Sequence, residues 1–264
     1  MSCVRTIPAG DGVSAGFSDD AFLAGKLRLR QPLSGHRAGH DAILLAAATP
    51  VRPGLRVADF GAGVGAAGLA AARRCPGIDL VMVERDPELA DLARGNASAN
   101  GIAARVATLD IGAKPAAFSE QGLAPDSVDA VLMNPPFNDP ARHRASPDAA
   151  RRAAHVASPE TLAVWTHAAR RVLRPGGVLT LIWRSDGLAE VLAALDRGFG
   201  SVALLPVHHD IGTPALRILI RAIKGGRAPL QVLAGLMLND ESGLPSKQAT
   251  NILAGDEGLP LADV

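Results

Sequence analysis

A glycine-rich segment preceded by an acid is the first place where this sequence could do chemistry. Residues 57–65 read VADFGAGVG, following a β-branched run and opening a helical pattern. Glycines let the backbone turn sharply and approach a ligand closely. Asp59 stands two residues before Gly61, at a helix start that a dinucleotide-binding loop leaves free for pyrophosphate. The acid favours a cationic ligand without phosphate, so the segment predicts S-adenosylmethionine as cofactor rather than a dinucleotide.

Two further acids end the next two predicted strands. Glu84 closes LVMVE, where a carboxylate can accept hydrogen bonds from both ribose hydroxyls, and Asp110 closes VATLD, within reach of an adenine amine. Each acid alone could be a solvated strand end or a helix cap, but three at successive strand ends indicate one ligand crevice. The cofactor-binding residues predicted here are Asp59, Gly61, Ala62, Gly63, Gly65, Glu84, Arg85, Asp110 and Ile111, joined by Asn134.

The tetrapeptide Asn134-Pro135-Pro136-Phe137 follows a fourth predicted strand, SVDAVLM. An amine conjugated to a ring or a carbonyl is a poor nucleophile. The Asn134 side-chain oxygen and the Pro135 carbonyl can each accept a hydrogen bond from it and direct its lone pair at a methyl group. The prolines fix the backbone, and Phe137 offers a face to a planar acceptor such as a flipped base. The alternative is a plain strand-ending turn. Beside the cofactor loop, we predict that these four residues are catalytic in N-methylation.

The elements that must position these residues alternate along the chain. From Leu55, short β-branched runs are separated by helical patterns, which indicates parallel strands with right-handed crossovers and helices on both faces. SVALLPV and ALRILIRAI are joined by a link too short for a helix, so they must pair antiparallel. The predicted fold is α/β and Rossmann-like: a mainly parallel seven-stranded sheet with an antiparallel C-terminal hairpin. Class I methyltransferases have this arrangement, and nicotinamide-dependent dehydrogenases lack it.

The 264 residues, 48% of them hydrophobic, can bury one sizeable core. We expect a flexible tail over residues 1–20 and a strand and helix extension over 21–50, in which FLAGKLRLR forms a half-buried strand. The methyltransferase core is expected over 51–224. A C-terminal extension over 225–264 carries one apolar run, QVLAGLML, which could add an edge strand or pack on the core.

Composition excludes several function classes. A net charge of +1 gives no global attraction to nucleic acid or membrane. The two cysteines form no motif, and no apolar run has signal-peptide or membrane-spanning length, so a cytoplasmic location is expected. The segment His208-His209-Asp210 has no partner cluster, so no metal site is expected. The sequence leaves the oligomeric state open.

The tetrapeptide resembles the N/D-P-P-F/Y/W motif of amino methyltransferases, which act on DNA or RNA bases or on release-factor glutamine. Residues 37–45, RAGHDAILL, resemble the basic-x-G-x-D-A/G-I/V-L-L signature of bacterial tRNA adenine-N6 methyltransferases, which modify the adenosine 3′ of the anticodon in a valine tRNA. The resemblance covers about residues 20–240. It implies that Asp41 lines the cofactor or acceptor pocket. Asn239 stands where the family usually has a histidine, which weakens the choice of tRNA more than that of the chemistry.

A basic stretch follows the tetrapeptide directly. Arg142, Arg144, Arg151 and Arg152 lie within residues 139–155, where they could grip phosphates around an extruded base of a tRNA substrate. A solvated basic loop and helix is the alternative. We predict that these four arginines contact RNA, because the segment adjoins the crevice.

Other functions fit less well. Protein glutamine-N5 methylation would use the same chemistry, but that family carries a helical N-terminal recognition domain, and about fifty residues before the glycine loop are too few for one. A non-catalytic RNA-binding module would not need Asp59, Glu84, Asp110 and Asn134 together. A nicotinamide-dependent oxidoreductase would need a hydride-site acid, which is not evident.

Overall fold

The computed structural model describes residues 16–33, 37–136 and 159–263. Its centre is a sheet of nine strands in the described part of the chain, ordered β10-β8-β9-β7-β6-β3-β4-β5, with β11 also paired to β8. The strands are β3 (Arg56–Phe60), β4 (Asp79–Glu84), β5 (Ala104–Thr108), β6 (Val128–Met133), β7 (Leu173–Arg184), β8 (Phe199–His208), β9 (Ala215–Lys224), β10 (Gln231–Val232) and β11 (Leu236–Met237).

The predicted topology is confirmed. Strands β3 to β7 pair in parallel, whereas β9 lies antiparallel between β7 and β8. The seven expected strands are β3 to β9. The two short strands β10 and β11 extend this sheet beside β8, so the apolar run QVLAGLML does add edge strands.

Helices cover both faces of the sheet, as a parallel sheet requires. They are α1 (His40–Ala48), α2 (Ala66–Arg74), α3 (Pro87–Ala99), α4 (Pro115–Glu120), α5 (Pro159–Val172), α6 (Leu188–Leu195) and α7 (Lys247–Ala254). One core lies beneath α1, α2 and α3, and the other includes residues of α4, α5 and α6.

The N-terminal extension differs from the prediction. Residues 17–22 form a strand, β1 (Phe17–Phe22), which pairs antiparallel with β2 (Leu27–Pro32). A 3-10 turn at Leu23–Gly25, where Ala24 has a positive φ of 53°, joins them. Residues 17–20, expected to belong to the tail, are therefore part of a strand, and FLAGKLRLR is not one strand. Leu27 and Leu29 are buried while Arg28 and Arg30 are exposed, which confirms the alternation.

The C-terminal extension packs on the same face as α1. Ile252, Leu259 and Leu261 are each no more than 1% exposed within the core of that face. The Leu259 N–H donates to the carbonyl of Ala47 at 2.9 Å, and Arg221 of β9 donates to the carbonyl of Leu261 at 3.1 Å. Residues 247–263 are therefore part of the folded unit.

Candidate active site

The carboxyl ends of four neighbouring parallel strands meet at one edge of the sheet. In sheet order these strands are β6, β3, β4 and β5, and their ends bring Asn134, Gly61, Glu84 and Asp110 to that edge. Adjacent strands lie about 4.8 Å apart, so the row spans on the order of 14 Å. Most of the residues predicted from the sequence to bind cofactor therefore lie along one edge of the sheet, the edge at which open α/β sheets usually bind ligands.

The glycine loop between β3 and α2 takes the tight path expected of it. Gly61, Gly63 and Gly65 have positive φ angles of 72°, 56° and 91°, which residues with a Cβ rarely adopt. The N–H groups of Gly61 and Ala62 donate to the carbonyl of Val83 at 2.8 and 3.0 Å. The loop thus folds back over the end of β4, and its return leads directly into helix α2.

Asp59 is buried beneath this loop, with 2% of the residue exposed. Its Oδ2 accepts a hydrogen bond from the N–H of Gly68 in α2 at 2.8 Å. A side chain at position 68 would collide with it, because a Cβ there would lie 2.9 Å from Oδ2. The pKa of Asp59 is raised to about 7: burial raises it most, the Gly68 hydrogen bond lowers it, and the nearby Glu84 charge raises it. In this arrangement the carboxyl contacts the protein's own backbone.

Glu84 also supports the loop. One carboxylate oxygen accepts from the Gly63 N–H at 2.8 Å, and the other accepts from the Asp86 N–H at 2.9 Å. The residue is 7% exposed. Each carboxylate oxygen has more than one acceptor site, so these contacts leave capacity for the ribose hydroxyls expected from the sequence.

An open cleft of about 790 Å³ lies between the ends of β4 and β5, lined by Arg85, Asp86, Pro87, Glu88, Thr108, Leu109 and Asp110. Asp110 lies two residues beyond the end of β5 rather than at its tip. Its Oδ1 accepts from the Gly112 N–H at 2.6 Å, and Oδ2 lies 3.9 Å from the Arg85 guanidinium. Both side chains are more than half exposed, whereas Ile111 is 5% exposed.

The side chain of Asn134 lies just beyond the end of β6. Its side-chain oxygen is buried and has no hydrogen-bond partner within the described part of the chain. Pro135 beside it is buried and Pro136 is half-buried. A buried acceptor without a donor costs roughly 1–3 kcal/mol, so the position favours a bound N–H group.

Asp41 is near the start of α1, and its Oδ2 accepts from Arg217 Nε of β9 at 3.0 Å. The ion pair is partly buried, with 18% of the Arg217 side chain and 31% of the Asp41 side chain exposed. Strand β9 lies two strands from β6. Asp41 is therefore on the opposite side of β3 from Glu84 and Asp110. The described contacts of Asp41 do not join it to the glycine loop.

Five of the residues predicted to be catalytic or to contact RNA lie outside the described residues. They are Phe137, Arg142, Arg144, Arg151 and Arg152. Helix α5 resumes the chain at Pro159. Among the described residues there is no membrane-crossing helix and no group of three His, Cys, Asp or Glu side chains able to hold a metal.

Two residues that the sequence did not single out as functional contact the glycine loop. Trp165 of α5 lies against Gly61, where an added Cβ would come within 2.9 Å of its ring carbon Cζ3. Asn96 of α3 donates to the carbonyl of Val64 at 2.9 Å. Both come from distant parts of the chain, and no local motif signals either contact.

Comparisons with known proteins agree with this geometry. A family model described as the methyltransferase small domain matches residues 35–209. A structure from Agrobacterium tumefaciens described as a predicted O-methyltransferase is 30% identical, has a TM-score of 0.69, and covers 83% of this chain and 98% of its own.

Two relatives have names that specify an acceptor. A release factor glutamine methyltransferase from Chlorobaculum tepidum is 30% identical over 164 residues, 59% of this chain and 54% of the relative. The chain spans about half the length of that relative. A tRNA1(Val) (adenine(37)-N6)-methyltransferase from Dickeya chrysanthemi is 28% identical over 202 residues, 75% of this chain and 77% of the relative.

The fold and the matched segment agree on the same group of enzymes. The family match includes the glycine loop, the acids at the strand ends and the Asn-Pro-Pro segment, all within residues 35–209. S-adenosylmethionine is the cofactor of this chain. The chain is a methyltransferase and belongs to the methyltransferase small domain family.

Proposed function

We propose that this methyltransferase transfers a methyl group to an exocyclic amine, and that the amine is N6 of an adenine in tRNA. The observation that carries the proposal is the buried Asn134 oxygen, which has no donor among the residues that the structure describes. An amine placed there would donate one N–H to Asn134 and a second to the Pro135 carbonyl. Its lone pair would then point away from both acceptors and toward the methyl group.

The chain's other residues fit the cofactor. When bound, S-adenosylmethionine supplies a methyl group on a positively charged sulfur, which makes a strong base unnecessary. Glu84 would hold the ribose, and Arg85, Asp110 and Ile111 would line the adenine end of the cleft. Gly61, Ala62, Gly63 and Gly65 would let the cofactor approach the backbone. Asp59 would support this loop from below through its contact with the Gly68 N–H, and Asp41, paired with Arg217, would line the pocket.

The choice of tRNA as acceptor rests on similarity along the chain. The relative from Dickeya chrysanthemi named as a tRNA adenine-N6 methyltransferase aligns with 75% of this chain, and RAGHDAILL at residues 37–45 matches the signature given above. The named glutamine methyltransferase aligns with 59% of this chain. Glutamine-N5 methylation is therefore the second candidate, because its amide would fit the same two acceptors.

A single assay separates the two candidates. The enzyme is incubated with S-adenosylmethionine carrying a trideuterated methyl group and, in parallel, with unmodified tRNA or with a bacterial release factor. Mass spectrometry of nucleosides and of peptides then locates the label. We expect deuterated N6-methyladenosine from tRNA. Label only on a release-factor glutamine would establish the second candidate and refute the first.

A further inference from the structure

The N-terminal hairpin and the glycine loop are held by the same side chain, Asn96. This residue lies in the last part of α3 and is 3% exposed. Its Oδ1 accepts from the Arg30 N–H at 2.8 Å, and its Nδ2 donates to the Arg30 carbonyl at 3.1 Å. The same Nδ2 donates to the Val64 carbonyl at 2.9 Å. One buried amide therefore ties β2 to the loop that turns into α2.

The Val64 peptide needs such a restraint. It lies between Gly63 and Gly65, which have no Cβ and both adopt positive φ angles, so its carbonyl could rotate at little steric cost. The Gly63 N–H is fixed by Glu84 at 2.8 Å, and the Gly65 N–H donates to the Ala62 carbonyl at 2.8 Å. The Gly65 N–H and the Val64 carbonyl belong to one planar peptide group, so the Ala62 contact holds one end of it and Asn96 holds the other.

We propose that Asn96 is a positioning residue for the cofactor: by fixing the Val64 carbonyl it holds the glycine loop in its binding conformation before the cofactor arrives. A loop that is already ordered loses less conformational freedom on binding, so affinity is higher. Asn96 acts through the loop and needs no contact with the methyl donor. This inference does not depend on whether the acceptor is RNA or protein.

Asn100 provides a matched control one helical turn away. Its Oδ1 accepts from the Arg28 N–H at 3.0 Å, and its Nδ2 donates to the Arg28 carbonyl at 2.7 Å. It therefore makes the same pair of contacts to β2 as Asn96 does. Its described side-chain contacts do not include the glycine loop. A variant of Asn100 loosens the hairpin and leaves the Val64 carbonyl restrained.

The test measures S-adenosylmethionine affinity by calorimetry for the full chain and for Asn96→Ala and Asn100→Ala, with thermal unfolding recorded for each. We expect Asn96→Ala to raise Kd about tenfold, the size of one buried hydrogen bond, and Asn100→Ala to change it by less than about twofold. An unchanged Kd in Asn96→Ala, or an equal rise in both variants, would overturn the proposal.

A second variant keeps the test decisive if Asn96→Ala does not fold. Asn96→Leu fills the buried site with a side chain of similar size, but it has no N–H group to donate to the Val64 carbonyl. We expect this variant to lose at least as much affinity as the alanine variant. Affinity equal to that of the unaltered chain would show that the amide donor is unnecessary. Because the readout is cofactor binding, the result is independent of the acceptor assay.

Discussion

The three carboxylates at the strand ends lie in three different environments. Asp59 is buried and accepts from the Gly68 N–H, Glu84 is nearly buried and accepts from two N–H groups, and the Asp110 side chain is 59% exposed. Burial and neighbouring donors decide how readily each can exchange a protein contact for a ligand contact. Asp110 is the most accessible of the three, and Asp59 contributes to the shape of the site from below.

The pKa of Asp59 makes a prediction about stability. Its folded-state pKa of about 7 lies above the ordinary value of 3.8, so the folded chain binds this proton more tightly than the unfolded chain does. The free energy of unfolding therefore falls by about 1.4 kcal/mol per pH unit as pH rises through that interval, and the loss is complete above about pH 7. Asp59→Asn removes this cost because the amide stays neutral.

Urea unfolding of both proteins at about pH 5 and about pH 8 checks this. At each pH, the free energy of unfolding of the unaltered chain is subtracted from that of Asp59→Asn. This difference should be about 2 to 3 kcal/mol larger at about pH 8 than at about pH 5. Asp110→Asn, at an exposed position on the same edge of the sheet, serves as the control. A stability difference between Asp59→Asn and the unaltered chain that does not vary with pH would contradict the buried, protonated carboxyl.

The positions of these acids could be predicted from the sequence, but their contacts could not. A strand ending in an acid is visible as a β-branched run followed by Asp or Glu, and parallel pairing brings such ends together. Whether the carboxyl turns toward a ligand or toward the Gly68 N–H depends on how α2 packs on β3. The same holds for the Asp41–Arg217 pair, whose members are 176 residues apart.

At the scale of elements, the glycine loop is enclosed by three helices. It leads into α2, Asn96 reaches it from α3, and Trp165 covers it from α5. Helix α5 is the first element described after the Asn-Pro-Pro segment. Through Trp165, the glycine loop therefore contacts the first helix that is described after the Asn-Pro-Pro segment.

The close approach of Trp165 predicts how two glycines differ. Gly61→Ala would combine a positive φ with a collision against the indole, whereas Gly63→Ala has a positive φ but no atom within 4 Å of the added Cβ. We expect Gly61→Ala to lower the free energy of unfolding by about 2 to 4 kcal/mol, and Gly63→Ala by about 1 to 2 kcal/mol.

A double-mutant cycle isolates the indole. In a Trp165→Leu background the cost of Gly61→Ala should fall to that of Gly63→Ala, because only the backbone strain remains. Chemical unfolding of the four proteins of the cycle and of Gly63→Ala gives these values. Equal costs of Gly61→Ala in the two backgrounds would show that Trp165 does not press on the loop.

The periodic elements were predictable and the irregular ones were not. Each core strand is a β-branched run with a helix pattern after it, and the link between β8 and β9 is too short for a crossover, so both features follow from local sequence. Strand β1 is FSDDAF, a polar segment whose burial pattern is only half-buried at best. It forms because β2 offers a partner, which is a tertiary effect that periodicity does not reveal.

At the scale of the whole molecule, the C-terminal extension completes the core under α1. Leu261→Ala should lower the free energy of unfolding by about 2 to 5 kcal/mol, since the residue is fully buried. Leu244 lies in the same extension but is 63% exposed, and its change to alanine should cost less than about 0.5 kcal/mol. Similar costs in urea unfolding would mean that the extension does not belong to the core.

The prediction that Arg151 and Arg152 contact RNA rests on the sequence, because both lie outside the described residues. Changing both to alanine should weaken tRNA binding and reduce the slope of log affinity against log salt by about 0.7 to 0.9 for each phosphate that is no longer neutralised. Filter binding across a salt series measures both. The control variant replaces Arg56 and Arg105 with alanine. Their guanidinium nitrogens lie 3.4 and 3.5 Å from Oδ2 of Asp79. An unchanged slope in the first variant would exclude these two arginines from the interface.

The most direct test of the account is Asn134→Ala, with turnover and cofactor affinity measured on the same preparation. The buried oxygen, which has no partner among the described residues, should gain its hydrogen bond only when an amine is bound. We predict that turnover falls by about a hundredfold or more while the Kd for S-adenosylmethionine stays within about twofold. Turnover close to that of the unaltered enzyme would contradict the role given to Asn134.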